Sequence, residues 1–230
     1  MNRRIETLLF DFGGTLDADG VAWKERFHDH YRAEGADVAA EAFAPVFYAA
    51  DDPLVGGLPL DADLRATVAR LADNLEAELA RRGVAARDDA RGRRVAARFL
   101  DEADAAFARN RALLETLGRR YRLGIVSNFY GNLDAVCRGA GISPLIGSIA
   151  DSQRVGAEKP DPAIFRAALE PLGAVPETTL MVGDSLKRDR EGARALGMAF
   201  VWVAPAAAQA AERCDHAVVT RLGQLAELLA

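Results

Sequence analysis

The chain contains very little cysteine: Cys137 and Cys214 are its two examples in 230 residues. They lie far apart and lack metal-ligand spacing, which argues against a disulfide-stabilised secreted domain and against a cysteine-bound metal. We expect both to be free thiols in a reducing compartment. Long apolar runs are also missing, since residues 1–10 do not resemble a signal peptide and no segment approaches the roughly 20 apolar residues that span a bilayer. The sequence therefore predicts a cytoplasmic protein with no membrane partner.

An excess of positive charge is absent as well. Lys and Arg number 29 against 34 Asp and Glu, which gives a net charge of −5 and argues against nucleic acid as a partner. Lysine is scarce among these basic residues, so Lys24, Lys159 and Lys187 attract attention wherever they stand near a candidate site. The predicted partner is a small-molecule substrate. The sequence does not predict an oligomeric state.

Hydrophobic periodicity divides the chain into two regions with different predicted secondary structure. Residues 20–117 read as helical almost throughout, as in the three- and four-residue steps from Leu64 to Leu79. Beyond Tyr121, short apolar runs alternate with helices, and with a first strand at 5–10 they predict strands at 123–126, 146–150, 179–182, 200–203 and 217–219. The predicted fold class is therefore α/β, with a Rossmann-like parallel sheet core and an inserted all-helical cap domain. We predict a core of residues 1–16 and 118–230 and a cap of residues 17–117.

Polar residues that could take part in catalysis or ligand binding follow four of these segments. Asp11 ends the first strand in the string Asp-Phe-Gly-Gly-Thr-Leu, and Ser127-Asn128 ends the second. Lys159 stands in a proline-stiffened turn, and Gly183-Asp184-Ser185 ends a later strand with Asp189 five residues beyond Asp184. Open α/β sheets bind ligands at the carboxyl ends of their strands, so these groups are predicted to meet. Carboxylates there suit a hard cation, which takes oxygen ligands.

These four motifs, in this order, resemble the haloacid dehalogenase-like (HAD) hydrolase superfamily, in its form with a C1-type helical cap after the first motif. The resemblance spans nearly the whole chain. It implies that Asp11 is the nucleophile and forms an aspartyl-phosphate. It further implies that Lys159, Ser127 and Asn128 hold the phosphoryl group. The implied cofactor is Mg²⁺, bound by Asp11, the backbone carbonyl of Gly13, Asp184 and Asp189.

Gly13 is a departure from that pattern. The family's phosphatases carry a second Asp there, which protonates the leaving oxygen and then activates water, a role typically worth about 10²- to 10⁴-fold in rate. Either another group replaces it or the substrate does not need it. The nearby candidates are Asp17, Asp19, His28 and His30. If the acid alone is missing, Gly13→Asp is expected to raise hydrolysis of alkyl phosphates far more than of aryl phosphates.

Three functions remain open after this departure. The first is a Mg²⁺-dependent phosphatase of a small phosphorylated metabolite. The second is a metal-independent 2-haloacid dehalogenase, against which the retained Asp184 counts, and the third is a non-catalytic protein that binds a phosphorylated ligand. A phosphonatase is a weaker alternative, because its imine-forming cap lysine has only Lys24 as a counterpart, earlier than expected.

Aromatic residues recur every four positions at Trp23, Phe27 and Tyr31. This spacing is typical of the buried face of a helix, and a substrate-facing wall is the alternative. If these side chains instead face the substrate, Trp23→Ala is expected to alter substrate preference more than stability. The reverse result would place the stripe in the core.

Overall fold

The computed structural model describes residues 4–209 and 216–230, whose strands form one parallel sheet. The strand order is β3-β2-β1-β4-β5-β6, and each neighbouring pair is parallel. The α/β prediction is confirmed, with the predicted strands shifted by one to two residues at some ends. The strands are β1 (Thr7–Phe10), β2 (Arg122–Ser127), β3 (Ser148–Asp151), β4 (Thr179–Gly183), β5 (Ala199–Val203) and β6 (Ala217–Val219).

Both faces of the sheet are covered by apolar clusters. Successive side chains of β1 alternate between them: Leu8 and Phe10 belong to one cluster and Leu9 to the other, and all three are fully buried. A strand buried on both faces reads as a continuous apolar run, which is why the segment before Asp11 lacks alternation. The central position of β1 follows from this, with β2 on one side and β4 on the other.

Four helices lie between β1 and β2, where the sequence predicts a helical insertion. They are α1 (Trp23–Ala33), α2 (Ala40–Asp51), α3 (Leu64–Arg81) and α4 (Asp89–Gly118), and a 3₁₀ turn follows α2 at Asp52–Leu54. The periodic leucines of α3 are buried, as expected for an amphipathic helix. Side chains cap two of these helices: Asp63 accepts a hydrogen bond from the Ala66 amide at 2.8 Å, and Asp88 accepts one from the Ala90 amide at 2.9 Å.

The remaining helices alternate with the strands, as a βαβ series requires. They are α5 (Leu133–Gly139), α6 (Ser152–Val155), α7 (Pro162–Leu169), α8 (Glu191–Ala195), α9 (Ala206–Gln209) and α10 (Leu225–Leu228). The shorter turns are 3₁₀ at Ser143–Leu145, Glu170–Leu172, Pro176–Thr178 and Leu222–Gln224, and one turn of π-helix at Leu186–Arg190.

The helical insertion packs directly on the sheet domain. Helix α4 contributes Phe107, whose ring centroid lies 5.8 Å from that of Phe12, and Asn110, whose amide donates to the Leu16 carbonyl at 2.9 Å. The core and cap boundaries at residues 16 and 118 remain a prediction. Among the described residues, the helices lack either the length or the apolar character to cross a bilayer.

The structure describes one of the two cysteines that the sequence predicts to be free thiols. Cys137 is a free, buried cysteine on α5. Burial raises the pKa of its thiol to about 12, so it stays protonated at neutral pH. Cys214 lies outside the described residues.

Candidate active site

The carboxyl ends of three adjacent strands bring the predicted site residues together. Asp11 follows β1, Ser127 ends β2, and Asp184 follows β4. The Ser127 hydroxyl donates to Asp11 Oδ1 at 3.0 Å. Because β1 lies between β2 and β4, its end is flanked by polar groups from both sides. The edge of the sheet thereby presents a carboxylate that is only 5 % exposed.

Lys159 connects this carboxylate to a second one. Its ammonium donates to Asp11 Oδ1 at 2.5 Å and to Asp189 Oδ1 at 2.7 Å. The lysine is buried, which by itself lowers the pKa of its ammonium, but the charges and hydrogen bonds of Asp11 and Asp189 outweigh burial and raise that pKa. Lys159 is therefore a fixed cation beside the predicted nucleophile.

The side chain of Asn128 holds Lys159 in place rather than facing a ligand. Its Oδ1 accepts from the Lys159 backbone N–H at 2.7 Å, and its Nδ2 donates to the Lys159 carbonyl at 3.2 Å. Both the oxygen and the nitrogen of the Asn128 side-chain amide are therefore hydrogen-bonded to the backbone of Lys159. This bonding orders the turn that presents the lysine. A phosphate contact from Asn128, which the sequence predicts, remains a prediction.

Three carboxylates form a cluster that suits a metal ion. Oxygens of Asp11, Asp184 and Asp189 lie within 4.8 Å of one another. Burial, followed by the charges of Asp11 and Asp189, raises the pKa of Asp184 well above its usual value. Like charges held this close repel each other until a cation neutralises them, and oxygen donors are the ligands that Mg²⁺ prefers. The donor set therefore fits the cofactor that the sequence predicts.

Asp189 has a second task within the cluster. It is fully buried, and its Oδ2 accepts from the Ser185 backbone N–H at 3.0 Å while its Oδ1 accepts from Lys159. Burial raises the pKa of Asp189 to about 6, although Lys159 acts in the opposite direction. Asp189 thus orders both the lysine and the loop that follows β4. Its predicted contact with a metal remains a prediction.

Two glycines allow this close approach of loops. Gly14 has φ of +91°, and a Cβ there would lie 2.6 Å from an oxygen of Asp184. A Cβ on Gly183 would lie 2.2 Å from an oxygen of Asp189. Larger residues at either position would displace a cluster carboxylate. Gly14 and Gly183 are therefore explained by the carboxylates of Asp184 and Asp189, which occupy the space that a side chain would need.

Trp23 lies against Gly13, the position that lacks the expected Asp. A Cβ built on Gly13 would stand 3.2 Å from the indole Nε1 of Trp23. A side chain at position 13 would therefore require the indole to shift by a few tenths of an ångström. The expected benefit of Gly13→Asp alone must be revised downward, because the substitution also disturbs a buried ring. The direction of the Gly13 carbonyl, a predicted metal ligand, remains a prediction.

Asp17, one candidate replacement for the missing acid, is committed to structural hydrogen bonds. Its Oδ1 accepts from the Gly14 amide at 2.6 Å, and its Oδ2 accepts from Trp23 Nε1 at 2.7 Å and from Arg26 at 2.8 Å. It is fully buried. Asp17 therefore ties α1 to the glycine loop after β1.

The other three candidates also bond to groups away from the carboxylate cluster. Asp19 contacts the guanidinium of an arginine at 3.0 Å, His28 a backbone carbonyl at 2.7 Å, and His30 a glutamate at 3.2 Å. The partners are, in that order, Arg109, Val38 and Glu102. These contacts give none of the three a role at Asp11.

We expect Trp23→Ala to destabilise the protein by about 3–5 kcal/mol, as for other buried aromatics. Trp23 is 8 % exposed and packs edge-on against Phe99 and Phe129, at centroid distances of 4.9 and 5.8 Å. Urea unfolding monitored by circular dichroism measures the loss. A stability change below about 1 kcal/mol together with altered substrate preference would instead support the substrate-facing interpretation.

Sequence reasoning overlooked two features of the site. Thr15 lies in the first motif, and its hydroxyl is 3.4 Å from both Asp11 Oδ2 and Asp184 Oδ1. Its position in the motif string was the available signal. Asp51, at the end of α2, accepts a hydrogen bond from the hydroxyl of Tyr130 in the loop after β2. No local pattern marks Asp51, since the contact joins positions far apart in the chain.

A family model described as haloacid dehalogenase-like hydrolase matches residues 5–197. That range contains every residue of the candidate site from Asp11 to Asp189. The chain belongs to this family of hydrolases. The HAD resemblance drawn from the four motifs is thereby confirmed, whereas the C1 type of the cap and the effect of Gly13 remain predictions.

Individual relatives agree with the family. Over 80 residues the chain is 39% identical to haloacid dehalogenase-like hydrolase domain-containing protein 3 of Bos taurus, a match that covers 35% of this chain and 32% of that protein. Over 126 residues it is 32% identical to the glyceraldehyde 3-phosphate phosphatase of Methanothermobacter thermautotrophicus, covering 51% of this chain and 55% of that protein. The matched region thus spans between about a third and about half of the length of these two relatives.

A crystal structure supports the fold over the full length. The HAD hydrolase YfnB from Bacillus subtilis, described as putative and as bound to magnesium, superimposes with a TM-score of 0.62 at 23% identity, covering 99% of each chain. At this identity the similarity establishes the fold alone. It places the helical insertion and the parallel sheet within one shared architecture.

Proposed function

We propose that this protein is a Mg²⁺-dependent phosphatase that hydrolyses a small phosphorylated compound through an aspartyl-phosphate on Asp11. The observation that carries the proposal is the cluster of three carboxylates joined to one buried lysine. Phosphoryl transfer depends mainly on positioning and on cancelling negative charge, and this cluster supplies both. A cytoplasmic location and a phosphorylated metabolite as substrate are part of the same proposal.

Each residue of the site has a separate proposed role in the reaction. Asp11 would attack phosphorus with one carboxylate oxygen, and its carboxylate is oriented by the Ser127 hydroxyl at Oδ1 and the Thr15 hydroxyl at Oδ2. The Lys159 ammonium, already beside Oδ1 of Asp11, would bind a phosphoryl oxygen and stabilise the developing charge. Asn128 and Asp189 would hold the lysine in position.

Asp11, the Gly13 carbonyl, Asp184 and Asp189 would hold the cation. Bound Mg²⁺ would supply neutralising charge for the phosphoryl oxygens. The clustering of carboxylates supports this assignment, since burial and then the charges of Asp11 and Asp189 raise the pKa of Asp184, and a bound cation would offset both. A dehalogenase that attacks carbon has no need of these additional acids, so their retention supports a phosphatase.

The small size of the substrate is supported by two observations. The helical cap contacts the loops at the sheet edge, as Tyr130 and Asp51 show. A phosphatase relative is named for glyceraldehyde 3-phosphate, a three-carbon compound. A sheet edge in contact with a cap accommodates a metabolite more readily than a protein.

We expect p-nitrophenyl phosphate to be hydrolysed in the presence of Mg²⁺ and not after its removal with EDTA. The aryl leaving group hardly requires an acid, so Gly13 does not mask the activity. Asp184→Asn is expected to raise the Mg²⁺ concentration needed for half-maximal rate. Release of halide from 2-haloacids without Mg²⁺ would support the dehalogenase instead. Absence of both activities would support the binding protein.

A further inference from the structure

The peptide bond between Gly13 and Gly14 links the predicted metal site to the rest of the glycine turn. Its carbonyl belongs to Gly13, which the sequence predicts to be a ligand of Mg²⁺, and its N–H belongs to Gly14. This bond is trans. In a planar trans peptide the N–H and the C=O point in opposite directions. The group that binds the Gly14 N–H therefore also sets the direction of the Gly13 carbonyl.

Asp17 binds that N–H with a carboxylate. Its Oδ1 accepts from the Gly14 N–H at 2.6 Å, and its side chain is fully buried. Hydrogen bonds to an ionised acceptor are shorter and stronger than those between neutral groups. Such a bond also polarises the peptide, which increases the negative charge on the carbonyl oxygen. Asp17 thus directs the Gly13 carbonyl away from itself and makes it a better ligand for a cation.

The same turn packs directly against the carboxylate cluster. Gly14 has φ of +91°, and a Cβ there would lie 2.6 Å from Oδ2 of Asp184. The next residue, Thr15, has its hydroxyl 3.4 Å from both Asp11 Oδ2 and Asp184 Oδ1. A rotation of the peptide between the two glycines would therefore alter the surroundings of a predicted metal ligand.

The Gly13 carbonyl is an acceptor that the protein leaves open. The carbonyls on either side of it are used: that of Phe12 accepts from the Leu16 amide at 2.8 Å, and that of Gly14 accepts from the Gly20 amide at 2.8 Å. Within the part of the chain that the structure describes, no donor bonds to the carbonyl between them. A backbone carbonyl beside carboxylates is a suitable ligand for a hard cation.

The cap fixes the other oxygen of Asp17. Its Oδ2 accepts from Trp23 Nε1 at 2.7 Å and from the Arg26 guanidinium at 2.8 Å. Arg26 is itself held on α4, where it donates to the Phe99 carbonyl at 3.1 Å and to Glu102 at 3.3 Å. A carboxylate held by two donors at Oδ2 has little freedom to rotate, so its Oδ1 stays with the glycine turn. The cap thereby contributes to the orientation of a peptide in the sheet domain.

We propose that Asp17 is a positioning residue for the Mg²⁺ site, which turns the Gly13 carbonyl toward the cation and holds it there. This inference rests on the proposed phosphatase function and deepens it. Asp17 acts through the peptide and contacts neither the cation nor the substrate. Two successive glycines need such a support, because glycine has more backbone freedom than any other residue.

Asp17→Asn is expected to raise the dissociation constant of Mg²⁺ by about 10- to 100-fold, as for other residues that orient metal ligands. Three donors converge on the Asp17 carboxylate, from Gly14, Trp23 and Arg26. The side-chain amide of Asn offers one acceptor oxygen and places N–H donors where the second oxygen was, so it cannot serve all three. Isothermal titration calorimetry of the protein without substrate measures Mg²⁺ binding directly.

Two control variants separate this role from anchoring of the cap. Trp23→Phe removes one donor to Asp17 and keeps an aromatic ring, and Glu102→Gln removes the charge of a half-exposed partner of Arg26. Neither variant removes the bond between Asp17 and Gly14. Both are expected to keep the dissociation constant of Mg²⁺ within about threefold of the wild type, below the range for a residue that orients a ligand. If Asp17 only anchored the cap, Trp23→Phe would weaken Mg²⁺ binding as much as Asp17→Asn does.

Nuclear magnetic resonance tests the same peptide in the wild type. The sequence contains two Gly-Gly pairs, Gly13-Gly14 and Gly56-Gly57. Glycine labelled with ¹³C at the carbonyl and ¹⁵N at the amide gives one signal for each pair in a spectrum that connects an amide with the preceding carbonyl. The Gly13-Gly14 signal is expected to move as Mg²⁺ is added, in step with the calorimetric binding. The Gly56-Gly57 signal is the internal control and should stay, because the Gly57 amide bonds to Leu54 within the cap at 3.1 Å.

Three results would overturn the role of Asp17 while leaving the phosphatase intact. They are unchanged Mg²⁺ affinity in Asp17→Asn, equal weakening in Trp23→Phe, and a Gly13-Gly14 signal that stays fixed while calorimetry shows binding. Circular dichroism melting shows whether Asp17→Asn is folded, and the wild-type spectrum decides the matter if it is not. A wild type that neither binds Mg²⁺ nor hydrolyses p-nitrophenyl phosphate in its presence would overturn the proposed function and this inference with it.

Discussion

Asp11→Asn is expected to lower kcat for p-nitrophenyl phosphate by on the order of 10⁵- to 10⁶-fold, the scale seen when a covalent nucleophile is removed. An amide oxygen is a far weaker nucleophile than a carboxylate. The fold should survive, because the substitution keeps the size of a side chain that is 5 % exposed and Lys159 keeps its ion pair with Asp189. Steady-state kinetics with saturating Mg²⁺ measures the loss.

The matched control is Asp104→Asn, which changes an exposed acid on α4. Its kcat should stay within about twofold of the wild type, because it alters neither the cluster nor the cap residues near it. A residual rate above about 1 % of the wild type in Asp11→Asn would mean that Asp11 acts through charge rather than as a nucleophile.

Lys159→Ala is expected to reduce both activity and stability. Removing one partner of a buried ion pair typically costs about 3–5 kcal/mol, and here it leaves Asp11 and Asp189 without their shared cation. Loss of a group that stabilises transition-state charge is expected to lower kcat by a further 10²- to 10³-fold, as an order of magnitude. Urea unfolding at pH 8 with EDTA measures the first effect, and p-nitrophenyl phosphate kinetics the second.

The stability loss in Lys159→Ala should shrink at acid pH. Burial already raises the pKa of Asp189 to about 6 with Lys159 present, and without the lysine that pKa rises further. The folded variant then binds more protons than its unfolded chain, so its stability increases as pH falls through that pKa. Lys187→Ala, which removes an exposed lysine in the same region, should change the unfolding free energy by less than about 0.5 kcal/mol at either pH. A Lys159→Ala loss that did not depend on pH would contradict the assigned pairing.

The sequence was sufficient to predict the sheet, because its strands carry a simple signal. Each is a short apolar run, and a run such as residues 7–10, buried on both faces, could only be central. The helical insertion was equally predictable from the leucine spacing of α3. The order of the strands and their register depend on contacts between distant segments, and the structure was needed to show them.

The candidate site was predictable wherever a residue follows a strand directly. Asp11, Ser127 and Asp184 meet because parallel strands share one edge, a consequence of topology alone. The tasks of side chains between elements were not predictable. Asn128 bonds to the backbone of Lys159, and Asp51 reaches Tyr130 from the cap, because tertiary packing sets those partners.

The most direct test of the central claim is to trap the covalent intermediate. Wild-type protein in excess over p-nitrophenyl phosphate, with Mg²⁺, is quenched in acid within one turnover and reduced with borohydride, which converts an aspartyl-phosphate to homoserine. Mass spectrometry of the peptide that contains residue 11 is predicted to show homoserine there, and Asp11→Asn should show none. Turnover by the wild type with residue 11 left unmodified under these conditions would contradict the account.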